Sequence, residues 1–383
     1  MICKEIGQLV HPGAVVAVGD GLNAPTTVLG ALSDAACDSG NVRLLLGWVP
    51  RLCPGLRLDA FSDARALMSG WGLRAGVDDG LVHALPVRLS AIPALLHGPL
   101  RPDLLVATVV RRPEGGFGFG TEVSWQWAAI EAGSQVAAVV TRGLPDCDAG
   151  PALPEEQMVV VGEVDITPQT LLPPEPSDIH RTLATHASRF LSDGIRLQVG
   201  PGPLGTAVME AIRSPVRIDS GLLPAGVVDL HRRGLLVDDP IATYLAGDAE
   251  LLEWADKRQI LHRLEYTHNP GRLSHGLPLV AVNTALEIDH DGQVNVERTS
   301  GSALGGIGGH PDYAAAAARS IGGLSVIAVP SQHGGRSTLV ERLSAPASTS
   351  SHDVDVIITE HGAADLRGLD RTERRAAITR LWP

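Results

Sequence analysis

Residues 13–32 read GAVVAVGDGLNAPTTVLGAL, and residues 194–213 read GIRLQVGPGPLGTAVMEAIR. Each is a glycine start, a β-branched run, a G-x-G turn and then small residues at helical spacing. The echo continues downstream. Val42-Arg43-Leu44 leads to Gly47, and Val216-Arg217-Ile218 leads to Gly221. VATVVRRPEGG (106–116) matches VNTALEIDHDG (282–292) in spacing, and AAVVTRGLP (137–145) matches IAVPSQHGG (327–335). Four elements repeated in one order predict an internal duplication. The expected fold is α/β: two similar lobes, each an open, mostly parallel sheet with flanking helices. A ligand cleft between paired lobes is the favoured place for a site.

Composition agrees with that class. The chain has 383 residues, enough for two cores. Aromatic residues make up only 3%, against 44% apolar residues overall, so Val, Leu, Ile and Ala must fill the core, as in sheets buried on both faces. A net charge of −12 argues against nucleic acid or an anionic membrane as partner, because both need a cationic face. Cys3, Cys37, Cys53 and Cys147 form no C-x-x-C pair, so neither a zinc framework nor a disulfide scaffold is expected, and reduced thiols suit a cytoplasm. The first residues lack a basic segment followed by an apolar stretch, and no 18-residue apolar run occurs. Neither a signal peptide nor a membrane span is therefore expected.

The stretch LLPPEPSD (171–178), with three prolines and a closing acid, reads as a linker ending at a helix cap. It divides the chain into lobes 1–172 and 173–383. Helical spacing is expected in IHRTLATHASRFL after it and in VSWQWAAIEAG (123–133). VDVIITEHG (354–362) reads as a strand into a glycine turn. It is followed by a charged surface helix with Arg371, Arg374 and Arg375 on a solvated face.

Candidate sites follow from the glycines and the acids. Gly200, Gly202 and Gly205 spell G-x-G-x-x-G between a strand and a helix, with Asp219 ending the next strand. That is close to a dinucleotide fingerprint. Pro201 and Pro203 lie inside the turn, however, and proline offers no N–H to a pyrophosphate. The alternative is a tight turn for another ligand or for packing. Gly305, Gly306, Gly308 and Gly309 precede His310-Pro311-Asp312-Tyr313 and can expose a nest of backbone amides for a carboxylate or a developing oxyanion. Glu287, in an apolar strand with Asn283 and Thr284, and Glu360, closing IIT, are the acids in the most suggestive settings, beside Glu297. Each can equally brace a loop. His262, His268 and His275 lack the spacing of a metal site, and no metal is expected. No G-x-S-x-G elbow supports a serine hydrolase.

These segments resemble the acetyl-CoA hydrolase / 4-hydroxybutyrate CoA-transferase family. VNTALEIDHDGQVNVE is similar to the family's INSALEVDLTGQVNAE. GGIGGHPDY is similar to GVGGQVDF, and IITEHGAADLRGLDRTERRAAI to VVTEYGVADLRGxSxRERARAL. LQVGPGPLGTAV corresponds to LQLGIGAIPDAV, and PAGVVDLHRRGLL to SDGVVDLxxAGVV. RLSAIPALL (88–96) and AAIEAGSQVAAVV (128–140) fit as well. The resemblance implies coenzyme A or acyl-CoA bound between the lobes, with no covalently attached cofactor. It also implies small carboxylic acids as co-substrates, and a homo-oligomer or a hetero-oligomer with a paralogue. Gly200, Gly202, Gly205, Asn283, Glu287, Gly306, Gly308, Gly309 and Glu360 are the expected ligand-binding positions.

In that family a glutamate attacks the thioester, giving an acyl-glutamyl anhydride and then a glutamyl-CoA thioester. Its motif is of the form HTEMISDGVVDL. Aligned on GVVDL (226–230), this chain reads Asp219-Ser220-Gly221-Leu222-Leu223-Pro224-Ala225, so Gly221 stands at the nucleophile position. Glycine has no side chain, and standard transfer is expected to be lost or altered. Three readings stay open. One is acyl-CoA binding without the relay. Another is a diverged thioesterase using His310, or using Asp219, which would face the same side of a strand about 6–7 Å away. The third is a non-catalytic partner of an active paralogue. A dinucleotide-binding protein ranks behind them.

Overall fold

The computed structural model describes residues 2–53, 55–299, 302–303 and 305–383. The chain divides into two compact units, 1–171 with 243–265, and 172–242 with 266–383. The segment 243–265, downstream of the expected boundary, groups with the first unit.

The first unit is built on a sheet ordered His83–Ala84, Asp63–Ala66, Arg43–Leu46, Val15–Val18, Leu104–Arg111, Gln135–Arg142, Met158–Asp165. All of these pairings are parallel, and Phe117–Phe119 adds antiparallel to Leu104–Arg111. The central strand Val15–Val18 is buried on both faces, which is why its residues are an unbroken Val/Ala run.

The second unit's sheet runs Arg217–Ile218, Arg196–Val199, Leu279–Asn283, Leu324–Ala328, Val356–Thr359, all parallel, and closes with antiparallel Gly362–Asp365. The four segments echoed in the sequence supply strands at equivalent places in the two orders. In each sheet the strand before the G-x-G turn lies between its second and third echoes.

Helix His310–Arg319 packs on this sheet through Tyr313, Ala316 and Ala317, one stripe at i, i+3 and i+4, against Leu273, Leu279 and Ala281. That packing fixes where the glycine-rich loop before it ends.

Several local expectations change. The linker's closing acid is not the cap. Ser177 caps helix Asp178–Ser188 in a reciprocal box with His180. The helix expected at 123–133 is shorter, Gln126–Glu131. Glu287 does not continue the strand Leu279–Asn283. It opens a separate short strand, Glu287–Asp289, which pairs with Val294–Asn295 and Leu339–Val340. On the last helix, Arg371–Thr379, Arg374 does not face solvent. Its guanidinium reaches the carbonyls of Ser351, Val354 and Leu366, because that face closes the end of the sheet. Among the described residues Cys37, Cys53 and Cys147 are free thiols, and no helix is long and apolar enough to cross a membrane.

Candidate active site

The second G-x-G turn forms a small cavity of about 110 Å³. Gly200, Gly202, Gly205, Asn283, Thr284 and Pro330 are among its walls. Gly202 sits at φ +138°, a conformation open to glycine, and precedes helix Pro203–Ala211. A Cβ on Gly205 would collide with the carbonyl oxygen of Gly200, so the third glycine lets the helix close on the turn. Asn283 and Gln198 form a reciprocal amide pair at 2.9 and 3.2 Å, holding the two strand ends together beside the cavity.

Gly221 follows Asp219 and Ser220, whose backbone is tied to the sheet by Asp219 N to Leu197 O at 3.0 Å and Ser220 N to Ile241 O at 2.9 Å. A Cβ on Gly221 would stand 3.2 Å from both Cε1 and Nε2 of His268 and 3.7 Å from the Tyr313 ring. Asp219 does not share that space. It is 1% exposed, and both of its oxygens accept from Arg272, with Arg196 at 3.3 Å. An acid held this way is a brace for two arginines. It is not poised to deprotonate water, nor are its oxygens free for a ribose.

His268 is fully buried. Its ring meets Tyr313 edge to face at 5.0 Å, its Nδ1 is 2.9 Å from Thr267 Oγ1, and Tyr313 Oη donates to the Thr267 carbonyl at 3.0 Å. Among the described residues its Nε2 has no hydrogen-bond partner. Burial, helped by the nearby Arg272 charge, brings its pKa down to about 3, so the imidazole is neutral. His310 is similar. Its Nδ1 lies 2.8 Å from Thr349 Oγ1, its Nε2 has no partner among the described residues, and burial brings its pKa down to about 4. Gly309 is the N-cap of the His310 helix, and Gly308, at φ +56°, makes the bend into it, with Gly306 partly exposed in the loop before.

Of the three suggestive acids, Glu297 accepts from Ser348 Oγ at 2.8 Å, and the other two are held by neighbouring loops. Glu287 accepts from Asn295 Nδ2 and Ser344 Oγ, both at 2.8 Å, and from the Ser344 amide. Glu360 accepts from Ser331 N at 2.8 Å and Ser331 Oγ at 2.6 Å. Burial pushes the Glu360 carboxyl up, but those hydrogen bonds outweigh it and hold the pKa below the ordinary value. Both acids brace loops. The structure therefore gathers Gly200, Gly202, Gly205 and Asn283 at one cavity, sets Gly221 and Gly309 both against the Nε2 edge of His268, and leaves Glu287 and Glu360 as supports.

The first unit holds a second polar cluster that the sequence did not signal. Asp20, in the first G-x-G turn, accepts from Tyr244 Oη at 2.7 Å, Trp48 N at 3.0 Å and Trp125 Nε1 at 3.1 Å. Glu122 accepts from Asn23 N at 2.7 Å. Burial pushes Asp20 up to about 6 and Glu122 up to about 8. A cavity of about 330 Å³ borders the same turn, walled mainly by Val18, Leu22, Leu46, Val139 and Ile166.

His268 escaped sequence reasoning because its partners are far away along the chain; the only signal was a histidine inside an otherwise ordinary THNP turn. Arg272 and Arg196, which neutralise Asp219, gave none.

The fold is that of CoA-transferases. The solved structure titled 4-hydroxybutyrate CoA-transferase from Porphyromonas gingivalis superposes with a TM-score of 0.78 at 24% identity, covering 99% of this chain and 92% of that one. RipA from Yersinia pestis superposes with a TM-score of 0.89 at 23% identity, covering 99% and 93%. Residues 247–381 match the model of the acetyl-CoA hydrolase/transferase C-terminal domain. The 4-hydroxybutyrate coenzyme A transferase of Clostridium kluyveri is 25% identical over 334 residues, 82% of this chain and 78% of that protein. The acetyl-CoA hydrolase of Saccharomyces cerevisiae is 28% identical over 256 residues, 59% of this chain and 47% of that protein.

Proposed function

We propose that this protein binds coenzyme A or an acyl-CoA at the glycine turns of its second unit and does not run the glutamyl relay. The observation that carries the reading is what a side chain at 221 would meet, the His268 imidazole and the Tyr313 ring. A neutral imidazole there cannot take the place of an anhydride-forming carboxylate. The ligand class comes from the family and from relatives named for CoA transfer. The backbone around Gly200–Gly205 and Asn283, with its open cavity, is the part of the second unit suited to hold part of such a ligand.

The test is thermal denaturation with coenzyme A and with acetyl-CoA, run beside CoA exchange between acetate and propionate. Ligand-dependent stabilisation without exchange is expected. A site occupied at one hundred times Kd adds roughly 2.7 kcal/mol, enough to read as a shift in Tm. Exchange with a borohydride-trappable glutamyl thioester overturns the reading.

One observation favours a second reading, thioester hydrolysis. The unpartnered Nε2 of His310 adjoins the glycine loop, where it could take a proton from water as hydroxide adds to the carbonyl and return it to the leaving thiolate. Loss of thiol release in His310→Ala, with acyl-CoA binding kept, supports it. Unchanged release ends it.

A further inference from the structure

Two glycines in the second unit have no backbone reason to be glycine. Gly309 lies at φ −83°, ψ −1°, an ordinary helical geometry, and Gly221 is outside the left-handed region too. What they share is one neighbour. A Cβ on Gly309 would come within 2.6 Å of His268 Nε2, and one on Gly221 within 3.2 Å of the same atom. Both approaches meet the Nε2 edge of the imidazole, whose ring packs against Tyr313 and whose Nδ1 is tethered by Thr267. With Nδ1 held by Thr267 and the Tyr313 ring against it, the imidazole has little room to yield to a side chain at 221.

We propose that His268 fills the space into which a side chain at 221 would project, so that residue 268, together with residue 221, determines whether this site can carry a nucleophile. This rests on the reading of 221 as the nucleophile position. It goes beyond it by making the missing glutamate half of a coupled pair. Restoring the carboxylate alone leaves it facing a buried ring. Removing the ring as well opens the volume the carboxylate needs. His268 is here a steric and specificity-determining residue, and it takes no part in bond making.

Two measurements on the full chain test this separately. The first is a stability cycle with Gly221→Ala, His268→Ala and the double variant. Gly221→Ala is expected to lower Tm by about 2–4 °C in the native background and by next to nothing when His268 is already Ala. Equal losses in the two backgrounds overturn the steric claim. Should His268→Ala fail to fold, His268→Asn, which keeps a partner for Thr267, takes its place. The second is borohydride trapping after incubation with acetyl-CoA. Gly221→Glu alone is expected to give no borohydride-reducible glutamyl-CoA thioester at 221, and Gly221→Glu with His268→Ala to give one, read as the glutamate reduced to the alcohol with release of CoA. That thioester in the single variant overturns the proposal. Coupling in the cycle with no thioester in either variant supports the steric claim and overturns the reading of 221 as the nucleophile position.

Discussion

Asp219 and Arg272 form a two-armed ion pair inside the second unit, Nη1 to Oδ2 at 2.8 Å and Nη2 to Oδ1 at 2.7 Å. Arg196 adds a third contact to Oδ2 at 3.3 Å, and the carboxylate is 1% exposed. The acid two residues before Gly221 is thus spent on holding the strand end to the Asn269-capped helix Pro270–Ser274.

Asp219→Asn should therefore act on stability and not on a chemical step. It leaves two largely buried guanidiniums without their counter-charge, a loss of about 3–5 kcal/mol in comparable pairs. Urea unfolding should show that loss. Any fall in ligand binding should track the folded fraction. A fully stable variant with selectively lost thiol release contradicts this account.

Gly205→Ala should be among the most damaging single-methyl substitutions in the second unit. The obstacle is the Gly200 carbonyl, part of the turn itself, which cannot rotate away as a side chain can. A cost of about 3 kcal/mol is expected. Gly202→Ala should also be unfavourable, for a different reason. No described residue lies within 4 Å of its Cβ position, but its φ of +138° suits glycine. Thermal melts of the two variants check both statements.

The first unit should lose stability as the solution turns alkaline. Glu122 titrates near 8 in the folded protein against an ordinary 4.5, and Asp20 near 6 against 3.8, both because burial disfavours the charge. The folded state keeps protons that the unfolded chain releases. The stability this provides is complete below the ordinary values and is lost as pH rises through about 6 and then 8, by on the order of a few kcal/mol. Glu122→Gln keeps an acceptor for the Asn23 amide and should flatten the upper part of the decline. A Tm that is level from pH 5 to 9 in the native protein contradicts the prediction.

The acid side should decline through the histidines. His268 and His310 are held neutral to about 3 and about 4, against an ordinary 6.5. Their contribution is complete above pH 6.5 and is lost as pH falls toward 4 and 3, because the unfolded chain takes up protons the folded one refuses. His310→Asn, which can still pair with Thr349, should shallow this limb. An unchanged limb removes His310 as a cause.

Local chemistry was legible from the sequence where neighbours along the chain decide it. The runs VVAV and RLQV before the two G-x-G turns became parallel strands, and Gly205 was recognisable as a tight approach. Asp370 with Glu373 caps the last helix as a local box. What could not be read depends on distant partners. Glu287 looked like part of one long strand until its pairing with Val294–Asn295 and Leu339–Val340 drew it into another sheet. Asp219 looked free until Arg272 and Arg196 arrived from other elements. His268 looked unremarkable because both backbones beside it come from elsewhere in the unit.

The most direct test of the central claim is the intact mass of the native protein after incubation with acetyl-CoA and quenching. The mass is expected to stay unchanged at ligand concentrations that raise Tm. A covalent CoA adduct mapped by peptide analysis to any glutamate of the second unit contradicts it.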